Sequence, residues 1–144
     1  MEGIMKQSDI DKIRQFDRFY TNVLKLTDKY HLHTHYTLLE ARILLEINAG
    51  TNTANQLLTL LKLDKGYLSR VLKKLENDKL ISKEVDPNDL RIKKLILTND
   101  GHTALDVINS RADSQIEGLF ANVPSEDINN IIKSMEEIQN KLKE

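Results

Sequence analysis

With 144 residues, no cysteine and a formal net charge of −1, the chain is the size of one domain and has no means for disulfides, thiolate catalysis or cysteine-based redox sensing. No run reaches the ~18–20 apolar residues of a membrane span. The N-terminal MEGIMKQSDIDKIRQF lacks the basic-then-apolar order of a signal peptide, so a cytoplasmic protein is expected.

The near-neutral total hides an asymmetry. Residues 62–94 hold ten Lys/Arg against six Asp/Glu, a net of +4, and the remainder holds eleven against sixteen, a net of −5. Neutralisation of phosphates is local, so this distribution matters more than the total.

Residues 8–31 carry Ile10, Ile13, Phe16, Phe19, Tyr20, Val23, Leu24 and Leu26 at helical intervals, which predicts an amphipathic first helix. The segment KYHLHTHYT follows, with His31, His33 and His35 at alternate positions. In an extended backbone these three share one face and, with His102 as a further donor, can hold a metal. The spacing matches no zinc signature. A loop of surface histidines is the simpler account, and no resident metal or other cofactor is expected.

Residues 37–48 (TLLEARILLEIN) form a second helix, with Gly50 as its stop. Thr53 and Gln56 stand at capping-box spacing, so a third helix runs over residues 54–61. A short turn through Lys62 and Leu63 leads into a fourth, and two helices so closely joined make a helix-turn-helix.

In the fourth helix Leu68, Val71, Leu72 and Leu75 form an i, i+3, i+4, i+7 core stripe, and Asp64 is placed to cap its start. The exposed side carries Lys65, Gly66, Tyr67, Ser69, Arg70, Lys73, Lys74 and Asn77. Arg70 can fork onto guanine or a phosphate, lysines suit phosphates, and Gly66 lets another backbone come close. Basic residues opposite a leucine stripe also describe any solvated helix face. The next segment separates the two readings.

Residues 80–85 (LISKEV) and 92–97 (IKKLIL) are short strands divided by the turn formers of DPNDLR, which predicts a β-hairpin. Arg91 at its tip suits a narrow minor groove, with Lys93 and Lys94 behind it. Asp89 can orient the guanidinium through a charge-assisted hydrogen bond, or the pair can simply stiffen the hairpin. A recognition helix beside such a ribbon is the geometry of a winged helix-turn-helix.

These elements resemble the MarR family of bacterial and archaeal transcriptional regulators. The resemblance rests on helix 37–48, the capping box at 53–56, DKGYLSRVLKKLENDKLI, the DPNDLR wing and the LTNDG that opens the next helix. The Asp-x-Arg wing followed by Leu-Thr-x-x-Gly is its most specific part. RFYTNVLKL, LLEARILLEI and LDKGYLSRVLKKLE further resemble the regulator half of proteins that fuse a MarR module to a GNAT-type acetyltransferase. The chain stops where that second domain would begin, so the resemblance implies DNA binding and gives no ground for acetyl transfer. It pairs Asp89 with Arg91 on the wing and places Gly66, Tyr67, Ser69, Arg70 and Lys73 on the recognition helix.

Two more amphipathic helices follow, over residues 99–121 and 125–142, with Pro124 breaking the first and Ser125 capping the second. A winged helix needs only residues 36–98. The helices outside it, within 1–35 and 99–144, are expected to interlock with a second copy as a dimerisation region, the arrangement that the resemblance also implies. The alternative is closure over their own monomer. A two-fold dimer sets two recognition helices about 34–36 Å apart on a pseudo-palindromic site. Relatives usually hold a small effector between the dimerisation helices and the winged domain; Phe16, Tyr20, Tyr30, Tyr36 and Arg42 are the candidate lining residues here, although at helical spacing they also read as plain core.

The expected fold is therefore mainly α with a small β-hairpin wing. The expected function is that of a homodimeric, sequence-specific regulator of double-stranded DNA, a repressor relieved by a small-molecule effector. The alternatives are a metal-responsive regulator using the four histidines and a winged helix that binds protein instead of DNA. An enzyme is not expected, because the chain has no G-x-G-x-x-G, P-loop or G-x-S-x-G motif.

Overall fold

The buried side chains come almost wholly from the middle of the chain. In the computed structural model, which describes residues 4–143, Ile43, Leu44, Leu57, Leu68, Leu75 and Ile81 are fully enclosed. Residues 1–3 and 144, the outermost positions of the expected 1–144 domain, lie outside the described residues. The chain divides into two compact units, residues 1–110 and 111–144.

The first unit runs α1 (Gln7–Val23), a 3-10 turn (His31–His33), α2 (Leu38–Asn48), α3 (Ala54–Leu61), α4 (Lys65–Asn77), β1 (Ile81–Val85), β2 (Lys93–Leu97) and the start of α5 (Asn99–Leu119). The second holds the rest of α5 and α6 (Ser125–Leu142). The described chain is thus six α-helices and one antiparallel hairpin, the mainly-α winged helix expected.

Each helix of the core begins where a side chain satisfies its free N–H groups. Thr37 and Glu40 form a reciprocal capping box on α2: the Thr37 hydroxyl accepts from Glu40 N at 3.1 Å, and Glu40 Oε1 accepts from Thr37 N at 2.9 Å. Thr53 caps α3 by accepting from Gln56 N, but the Gln56 amide accepts from Asn52 N, so only half of the expected box forms there. Lys62 ends α3 in the left-handed region at φ 54°. Asp64 then caps α4 through Tyr67 N at 3.0 Å, as its position predicts.

The hairpin registers Ile81 with Leu97, Lys83 with Leu95 and Val85 with Lys93. Strand alternation puts these on one face, so the inner side that buries Ile81, Leu95 and Leu97 continues outward as Lys83 and Lys93. On the far side of β2, Leu95 N donates to Asn52 O at 2.7 Å, which ties the wing to the entry of α3.

The Leu-Thr-x-x-Gly segment acquires a physical explanation. Thr98 Oγ1 donates to Lys79 O at 2.6 Å and accepts from Gly101 N at 3.0 Å, and Thr98 N donates to Leu80 O. A Cβ on Gly101 would lie 2.0 Å from that same Leu80 oxygen. The threonine caps α5 while the glycine lets it close onto the α4–β1 junction.

Three further sequence expectations need correction. The first helix ends at Val23 and not near residue 31; Lys25 adopts φ 54°, and Leu24 and Leu26 turn inward from a series of turns. Thr27 and Asp28, weak helix formers, follow at once. Ser125 is the first residue of α6 and does not cap it; Pro124 holds the cap position without a side-chain bond, having no oxygen to offer. The histidine segment is not extended, since Leu32 and His33 both take left-handed φ, 54° and 58°. No helix among the described residues is long and apolar enough to cross a membrane.

Candidate nucleic-acid interface

Burial of Leu68, Leu72 and Leu75 fixes which side of α4 faces water. Lys65, Gly66, Tyr67, Ser69, Arg70 and Lys73 are exposed there. The Arg70 guanidinium lies over the Tyr67 ring, 5.8 Å from its centroid, an arrangement that steadies a long cation at the surface. A Cβ on Gly66 would stand 3.3 Å from the capping oxygen of Asp64 and 3.5 Å from Arg70 Nη1. The glycine thus leaves room for both the cap and the arginine.

The wing tip is built from carboxylates bonded to the backbone. Asp86 Oδ1 accepts from Asn88 N at 2.7 Å and Asp89 Oδ1 from Arg91 N at 3.1 Å, while Ile92 N donates to Asp89 O. The two Asp89 oxygens also receive Nε and Nη2 of Arg91, at 3.1 and 3.2 Å. This two-point hold lowers the Asp89 pKa, chiefly through the side-chain hydrogen bonds from Arg91. The Arg91 side chain is nevertheless 90% exposed. It is oriented by its partner and remains open to another molecule.

Between wing and helix lies a groove of about 480 Å³, lined by Lys65 and Ser69 of α4, by Arg91, Lys93 and Lys83 of the hairpin, and by Thr53, Asn55 and Gln56 at the start of α3. It brings together four of the residues singled out from sequence, Lys65, Ser69, Arg91 and Lys93. Arg70 and Lys73 share the exposed side of α4 but do not line it. Lys83, Thr53, Asn55 and Gln56 were not anticipated as site residues. The signal for Lys83 was available: in the hairpin register it shares a face with Lys93, whereas Lys94 points to the other face, 3.8 Å from Asp86.

Lys74 is ion-paired within the chain. Its ammonium sits 2.9 Å from Glu40, whose side chain is only 6% exposed, and 3.0 Å from Asp78. The hydrogen bond to Glu40, then that to Asp78, raises the Lys74 pKa against a smaller desolvation effect.

The effector candidates are dispersed in role. Phe16 and Tyr20 stack with ring centroids 5.5 Å apart. Tyr30 is exposed beneath the Lys29 ammonium, Tyr36 packs on the core, and Arg42 is ion-paired with Glu46 one turn on. Among the histidines, the left-handed pair at 32–33 removes the extended geometry that would align His31, His33 and His35. The described residues contain no group of three or more His, Cys, Asp or Glu able to hold a metal ion. His102 is exposed in the first turn of α5, and partial burial lowers the His31 pKa.

Comparison with known proteins bears on the same region. The MarR family model matches residues 36–92. No curated protein matches the chain. Among solved structures, mutant MarR from E. coli complexed with operator DNA shares the fold at a TM-score of 0.72 and 19% identity, over 94% of this chain and 99% of that one. BldR from Sulfolobus solfataricus, a transcriptional regulator, is similar at 0.73 and 15%, over 96% and 100%. BpsR of Bordetella bronchiseptica, whose DNA binding is regulated by 6-hydroxynicotinic acid, is similar at 0.69 and 15%, over 90% and 98%. The chain is thus similar to the MarR family model over residues 36–92, and it shares the winged-helix fold of these solved structures.

Proposed function

We propose that the chain is a sequence-specific DNA-binding transcriptional regulator, a repressor, that acts in the cytoplasm as a homodimer on pseudo-palindromic duplex DNA and is relieved by a small organic effector. The observation that carries this reading is Arg91. It is fixed by Asp89 at two points, exposed, and set at the edge of a cationic groove beside the recognition helix. Such an arginine fits a narrow minor groove while α4 occupies the adjacent major groove.

The division of labour expected from sequence goes with it: residues 36–98 read DNA, and helices within 1–35 and 99–144 pair two copies. Ile13, Phe16 and Phe19 on α1 and Ile132 and Ile138 on α6 are each roughly half exposed, which favours a covering partner. The likeness to BpsR, with its 6-hydroxynicotinic acid, supports effector control. The sequence likeness to the regulator half of acetyltransferase fusions extends the proposal to DNA binding alone.

Selection of bound fragments from the host genome, followed by binding titrations with wild type and Arg91→Ala, tests the reading. A defined operator that the variant binds more weakly is expected. Failure of the wild type to retain any duplex at low salt would leave protein recognition as the role of this winged helix.

A further inference from the structure

Lys74 sits on the DNA-reading helix, yet its surroundings argue against a phosphate contact. Glu40 and Asp78 each lie within 3.0 Å of its ammonium, so the three side chains together carry a net charge of −1. A DNA phosphate brought to that spot meets an anionic cluster.

Glu40 is unusual in its own right. It is a buried carboxylate, 5% exposed, and both its oxygens are used. Oε1 accepts from Thr37 N and completes the cap of α2, whereas Oε2 takes Lys74 from α4. One side chain therefore fixes where α2 begins and also grips the recognition helix. The other buried residues of α2 and α4 are alanine, isoleucine and leucine in one core cluster, whose burial is favourable but non-directional. A short bond to a buried carboxylate adds a directional restraint on the rotation of α4 about its own axis. That rotation aims Ser69, Arg70 and Lys73.

We infer that Lys74 is a positioning residue for DNA binding: through Glu40 it holds the recognition helix at the azimuth that presents its exposed side to the duplex, without touching DNA itself. The inference rests on the DNA-binding reading above.

The test uses the full chain and a fluorescein-labelled genomic duplex recovered by selection on the wild type, titrated by anisotropy over a range of salt concentrations. Lys74→Met keeps the aliphatic stem, and Glu40→Gln keeps the cap. Each is expected to weaken binding of the folded, active fraction by about tenfold, and the double variant by no more than either alone. The slope of log K against log salt should match the wild type for both, whereas Lys73→Met should reduce it by about one phosphate's worth, roughly 0.9. A Lys74→Met slope reduced like that of Lys73→Met would overturn the inference, as would additive losses or an unchanged affinity with only a lower melting temperature. Lys74→Gln serves where Lys74→Met folds poorly; it can still donate to Glu40, and its slope is read in the same way. A wild type that binds no duplex rejects the DNA-binding reading, whereas a binding wild type with an altered Lys74→Met slope rejects the tether alone.

Discussion

Gly101 faces the carbonyl oxygen of Leu80 so closely that a methyl group in place of its hydrogen would stand 2.0 Å away. The obstacle is backbone, not the end of a flexible side chain, so α5 must move if anything larger is placed there. Gly101→Ala is expected to destabilise the chain by about 3 kcal/mol, the upper end for overpacking. Thr98→Ala, which loses the cap, should cost about 1 kcal/mol. Urea denaturation of the two variants checks both figures, and equal, small losses would show that α5 docks less tightly than its geometry indicates.

Removal of the wing arginine should act on binding and leave the fold alone. Arg91→Ala is expected to lose roughly 1–3 kcal/mol of DNA affinity with an unchanged melting temperature. Asp89→Asn should weaken binding several-fold through loss of orientation. The Asp89 pKa is lowered by Arg91, so its support is present above the ordinary carboxylate value of about 3.9 and fades as pH falls through the lower folded value. DNA affinity should therefore show no Asp89-linked change between about pH 6 and pH 8, which titrations across that window would confirm or refute.

His31 predicts an acid-side weakness. Burial lowers its pKa, so the folded chain prefers the neutral ring while the unfolded chain keeps the ordinary value of about 6.5. The unfolded state binds more protons between the two values. Stability linked to His31 is thus complete above about pH 6.5 and declines as pH falls toward the folded value. Thermal melts from about pH 5 to pH 8 should show this decline in wild type and a flatter profile in His31→Gln; identical profiles would remove His31 as the cause.

The exposed apolar residues of α1 predict self-association. Sedimentation of the wild type at micromolar concentration should give a dimer, and Phe16→Asp, which places a charge beside Tyr20 and Phe19 in the same cluster, should shift it toward monomer. A wild-type monomer would mean that these side chains serve some other surface.

Where the pattern in the sequence was local and periodic, it was legible. The leucine stripe of α4, its Asp64 cap, the span of α3 and the hairpin around DPNDLR all follow from spacing and turn chemistry over a few residues. The ion pair of Lys74 was not legible, because its partner Glu40 lies thirty-four positions earlier (74 − 40), and nothing local separates a tethered lysine from a free one. The groove contribution of Thr53, Asn55 and Gln56 was hidden for the same reason: it depends on the approach of α3 to the wing. The end of α1 was missed because Leu24 and Leu26 keep a helical rhythm after the backbone has left the helix.

The backbone bond from Leu95 to Asn52 O has a mechanical consequence. β2 is clasped midway along its length, by β1 on one edge and by residue 52 on the other. The ribbon is therefore held on both edges at Leu95, which shortens the part that can sway to the stretch between that point and the tip. A short lever sweeps a small volume. On the DNA-binding reading proposed above, Arg91 has less configurational freedom to surrender on contact than it would on a ribbon anchored at its base alone.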